Sequence, residues 1–69
     1  MVEPRYVLVN RERMLYARSG SKAWTVSLVL AMRFMTYHEA AIRRLERTRP
    51  DEWEVLKVNY HTRSGMVTL

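Results

Sequence analysis

Thr25-Val26-Ser27-Leu28-Val29-Leu30-Ala31-Met32-Arg33-Phe34 is the stretch on which the fold turns. It is apolar and rich in valine, so periodicity alone leaves it open between a buried strand and a helix. Helix is the preferred reading, with Thr25 as its cap and its end near Phe34. On a wheel of about 100° per residue, Leu28, Ala31 and Met32 then gather on one side and Arg33 marks the other. In that arrangement Val26, Val29 and Leu30 form an apolar stripe around Arg33 that faces outward.

After this stretch, Thr36-Tyr37-His38-Glu39 has the spacing of a capping box, which starts a second helix. Its apolar side is expected to comprise Tyr37, Ala41, Ile42 and Leu45, with Glu39, Arg43, Glu46 and Arg47 opposite. It stops before Pro50, because the residue preceding a proline is pushed out of the α region. Trp53-Glu54-Val55-Leu56-Lys57-Val58-Asn59-Tyr60 then alternates as a strand. A last short strand, Met66-Val67-Thr68-Leu69, or a frayed tail follows a turn through Thr62-Arg63-Ser64-Gly65.

Before the deciding stretch, Tyr6-Val7-Leu8-Val9 and Met14-Leu15-Tyr16-Ala17 read as a hairpin joined by a loop through Arg11-Glu12. Ser19-Gly20-Ser21-Lys22 reads as an exposed loop. The fold class is therefore α+β: an antiparallel sheet of three or four strands with two short helices packed on one face, in the order β-β-α-α-β. The expected core is Tyr6, Leu8, Leu15, Trp24, Leu28, Phe34, Ala41, Leu45, Leu56 and Val58.

Sixty-nine residues make one small domain, 1–69, with a shallow core and little room for a deep catalytic cleft. The chain has no cysteine, which excludes a disulfide framework and thiolate metal sites and leaves dimerisation as the remaining route to extra stability. The first residues, Met1-Val2-Glu3-Pro4-Arg5, lack the pattern of a secretion signal, and no apolar run is long enough to span a bilayer. The expectation is a cytoplasmic protein that does not enter membranes.

Catalytic motifs are missing from the sequence. His38 and His61 lie on different elements without a carboxylate at ligand spacing, and His38 is expected to be half-buried at the edge of the second helix. Gly20 and Gly65 belong to separate loops, so neither a P-loop nor a dinucleotide fingerprint exists. The expectation is a non-enzyme without metal or cofactor.

The net charge is +5, carried mainly by arginine, whose planar fork of donors suits phosphates and carboxylates. Arg43-Arg44-Leu45-Glu46-Arg47-Thr48-Arg49 is the densest basic stretch, and Arg43, Arg44, Arg47 and Arg49 are the candidate contacts to an anion or a nucleic acid. Glu39 and Glu46 stand at pairing distance from Arg43 along a helix, which turns part of this stretch into a mixed, solvated face. A DNA-binding regulator is accordingly the alternative reading.

Trp24-Thr25, Ala31-Met32-Arg33-Phe34 and Thr36-Tyr37-His38-Glu39-Ala40 together resemble many small uncharacterised proteins encoded by bacteriophages and mobile elements. In those, a hairpin precedes a tryptophan, a short helix, a Thr-x-x-Glu-Ala helix and a closing strand. The resemblance covers most of the chain and rests on caps and core residues. It implies a binder and inhibitor of a host protein, in the size class of anti-CRISPR proteins, many of which are acidic where this chain is basic. It also implies polar or acidic residues after the Trp-Thr pair, where this chain has Val26, Val29 and Leu30. These three with Arg33 are the candidate interface to a protein partner or to a second copy in a homodimer.

Overall fold

The computed structural model describes residues 1–20 and 23–69. Residues 21 and 22 of the expected loop lie outside them. Among the described residues five strands form one sheet: β1 (Val2–Asn10), β2 (Leu15–Ala17), β3 (Trp24–Thr25), β4 (Glu54–His61) and β5 (Val67–Thr68), in spatial order β3-β2-β1-β4-β5. Every neighbouring pair is antiparallel. One α-helix, α1 (Tyr37–Leu45), and a 3₁₀ turn (Pro50–Glu52) complete the chain. The class is α+β and antiparallel as expected, but with five strands and a single helix.

The first hairpin closes through residues 11–14, with Asn10 opposite Leu15 and Val9 opposite Tyr16. Asn10 Oδ1 accepts from the Arg13 backbone N–H at 3.1 Å, and Met14 takes a left-handed φ of 56° to finish the turn. β1 is the central strand. It pairs with β4 from Val2 opposite His61 to Val9 opposite Glu54, and Val7 and Leu8, which point to opposite sides, are both fully buried. The turn from β4 to β5 closes with the Gly65 N–H on the His61 carbonyl at 2.7 Å.

Both faces of the sheet are therefore covered, which corrects the single-faced expectation. On one face Leu8, Leu15, Ala17, Phe34, Ala40 and Trp53 form a core; on the other, Val7, Ala31, Val58 and Val67 form a second, with Leu28 and Leu56 packed against it. Leu56 and Val58 thus lie opposite the helix rather than beneath it.

The deciding stretch is neither helix nor strand. Thr25 Oγ1 accepts from the Ser27 N–H, and Leu30 and Ala31 donate to the carbonyls of Ser27 and Leu28 in two successive turns. Met32 then donates to the Ala17 carbonyl at 2.9 Å, and Phe34 exchanges both backbone bonds with Tyr6 in an isolated antiparallel bridge. The physical reason is the shortness of β2. It pairs with β1 only at Val9 and Asn10, leaving the Tyr6 backbone groups without a partner on that edge, and residues 32–34 supply one. A helix through Phe34 would forfeit these bonds, and Val26 and Val29 give it little propensity in return. The segment changes faces past the end of β2 as it does so: Leu28 and Ala31 pack on one face, Met32 and Phe34 on the other.

α1 begins as its sequence predicts, with Thr36 Oγ1 accepting the Glu39 N–H at 3.1 Å. Its buried side is different. Ala40 is fully buried against the sheet, whereas Tyr37, Ile42 and Leu45 are exposed and His38 is exposed rather than half-buried. Ala40, Arg44 and Arg47 repeat at helical spacing on the inward side, because a small residue permits close approach and the two arginines find acceptors beneath the helix end. Trp24, another expected core residue, is 54% exposed at the sheet edge. Among the described residues no helix is long and apolar enough to cross a membrane.

Candidate functional site

The arginine-rich end of α1 is bonded mostly to the protein itself. Arg47 is 7% exposed; its guanidinium donates to the carbonyls of Gly20 (3.2 Å) and Ala23 (2.8 Å) and lies over the Trp53 ring at 4.1 Å. Desolvation lowers its pKa from the ordinary arginine value. Arg44 donates to the Pro50 carbonyl at 2.7 Å, Arg43 faces Glu46 at 3.4 Å and Arg49 faces Glu52 at 3.4 Å. The sequence shows four arginines within seven residues; the fold uses two of them to tie loops and pairs the other two with acids.

Val26, Val29 and Leu30 stand on the outer side of the turns that cover the second core, all exposed, with Val26 at 72%. The segment is held on either side of the stripe by the pairing of Thr25 with Tyr16 and by the Met32–Ala17 bond. Arg33 folds back onto it: its guanidinium donates to the Val29 carbonyl at 3.0 Å and sits 4.9 Å from the centre of the Tyr60 ring. Arg5 approaches the same ring at 5.5 Å and pairs with Glu3 at 2.7 Å. The outward stripe and the Arg33 beside it are thus present on a turn segment instead of a helix.

A cleft of about 220 Å³ opens between the first hairpin and the segment after α1. Trp24 and Trp53 form apolar walls, and Asn10, Arg13, Arg47 and Arg49 bring donors to it. Sequence reading did not assemble this group, because Asn10, Trp24 and Trp53 come from three different strands or their ends. The available signal was an indole at an edge strand of two residues, which the apolar rule assigns to the core.

His61 Nε2 lies 2.9 Å from Thr68 Oγ1 across the β4–β5 pair, and among the described residues no three histidines or acids gather as metal ligands. No family model matches the chain, and no curated protein and no solved structure shows significant similarity to it.

Proposed function

We propose that the chain is a small protein-binding module that acts by stoichiometric binding, through the surface made by Val26, Val29, Leu30 and Arg33. The observation that carries this reading is the exposure of three aliphatic side chains on a segment that leaves β3 at Thr25 and is bonded to the Ala17 carbonyl through Met32. A stripe held in place loses little conformational entropy on association, and water leaves its apolar surface when a partner covers it. Arg33 lies beside it, an exposed residue whose guanidinium is turned back onto the Val29 carbonyl and the Tyr60 ring. In the isolated protein a second copy occupies this stripe; the biological occupant is another protein, a host protein in the phage reading, which displaces it.

The reading of Arg43, Arg44, Arg47 and Arg49 as a phosphate track is weaker, because Arg44 and Arg47 are committed to backbone carbonyls and Arg43 faces Glu46, which leaves only Arg49, in an exposed contact with Glu52, to turn toward a phosphate. Affinity capture with a tagged copy in the native host tests the proposal. The wild type retains a protein in stoichiometric amount, and the folded variant Val29→Glu with Leu30→Glu loses it. Equal retention by both would remove the stripe from the account.

A further inference from the structure

The cleft beside Trp24 shares no residue with that stripe and has a chemistry of its own. Asn10 is 3% exposed, and its carboxamide oxygen is used by the Arg13 N–H. Its Nδ2 has no acceptor among the described residues, and Asn10 lines the cleft. The Arg13 guanidinium bonds to no described group, and Arg49 has only the solvent-exposed contact to Glu52. Donors and cations therefore outnumber the single carboxylate of Glu52, so the ligand that complements the cleft supplies acceptors and negative charge.

The wall narrows the class further. Trp24 is 54% exposed and lines the same cleft, and a broad indole face is covered best by another flat ring. At about 220 Å³ the cleft takes a group the size of one residue or one nucleotide. An aspartate or glutamate would bring the charge without a ring, and a phenylalanine the ring without the charge. A nucleotide brings both, and its base edge carries acceptors for the Asn10 amide, which a phosphorylated phenol ring does not. We infer that this cleft binds one phosphate-bearing nucleotide, its base stacked on Trp24 and its phosphate held by Arg13 and Arg49, either free or as a unit of a single strand.

The test is a titration of the full ¹⁵N-labelled chain followed through its two indole N–H signals, with adenosine monophosphate, adenosine, inorganic phosphate, phenyl phosphate and a short oligo-deoxyadenylate as probes. The monophosphate shifts the Trp24 signal saturably, and adenosine and inorganic phosphate each bind about tenfold more weakly or worse. Arg13→Ala and Arg49→Ala each weaken the monophosphate about tenfold while leaving the rest of the amide spectrum in place. Binding of the oligomer more than about tenfold tighter than the monophosphate assigns the nucleotide to a strand, and similar binding assigns it to the free pool. No saturable shift with millimolar monophosphate or oligomer overturns the inference. Equal binding of phenyl phosphate and the monophosphate also overturns it, in favour of a phosphotyrosyl group.

Discussion

Arg47 lies over Trp53 with 4.1 Å between its guanidinium carbon and the ring centre, and from there it reaches back across the chain to the carbonyls of Gly20 and Ala23. One side chain thereby ties the end of α1 to Trp53, just before β4, and to the loop before β3. Its charge is costly to bury, and its bonds to two carbonyls and its contact with the indole offset that cost.

Replacing Arg47 should therefore destabilise the fold well beyond a surface substitution. Arg47→Met keeps the stem and removes the fork, taking its donor from the Gly20 carbonyl and one of two donors from the Ala23 carbonyl, which keeps the Arg18 N–H, and should cost about 1–3 kcal/mol. Arg47→Lys, which cannot engage both carbonyls in the same plane, should recover only part of it. Urea unfolding followed by tryptophan fluorescence measures both. A loss below about 0.5 kcal/mol for Arg47→Met, the range of an ordinary surface change, would show that the tie is dispensable.

The orientation of α1 makes a paired prediction. Ala40 has no free surface, so Ala40→Leu forces added methylene groups between helix and sheet and should cost about 1–3 kcal/mol. Leu45 is 65% exposed, so Leu45→Gln should stay within about 0.5 kcal/mol of the wild type. Thermal or urea unfolding of the two variants side by side would show the reverse order if the helix packed through Leu45.

The cap of α1 is a third point of attack. Thr36→Ala removes the acceptor of the Glu39 N–H and should cost about 1 kcal/mol, whereas Thr36→Ser should retain most of the stability. Equal stability of the two variants would mean that the cap bond contributes nothing.

Local signals were legible in the sequence and long-range ones were not. The hairpin around Arg11-Glu12, the Thr36 cap and the alternation of β4 each depend on residues close in the chain, and each is found where the sequence puts it. The segment 26–34 was misread because its conformation is set by an unpaired edge of β1 that belongs to residues far earlier in sequence. The helix face was misread for a related reason. Periodicity placed Ile42 and Leu45 inward, but Arg44 and Arg47 have acceptors beneath the helix end that only the folded chain provides, and close packing at Ala40 fixes the rest. Of the candidate site, the stripe of Val26, Val29 and Leu30 was legible as outward-facing apolar surface. The cleft beside Trp24 was not, since its residues meet only through sheet pairing.

The central claim is that this stripe is a protein-binding surface, and in the isolated protein it is covered by a second copy. The three side chains are 72%, 46% and 56% exposed, so covering what remains contributes roughly half of the full-burial value of about 1.5–3 kcal/mol for each. Over two copies that is about 5–10 kcal/mol before the costs of association, which corresponds to a weak dimer that two new carboxylates should abolish. Light scattering at high micromolar concentration measures this most directly. The account predicts about twice the chain mass of 8.3 kDa for the wild type, and a monomer with an unchanged circular dichroism spectrum for Val29→Glu with Leu30→Glu. A monomeric wild type at that concentration, or a double variant that stays dimeric, would contradict it.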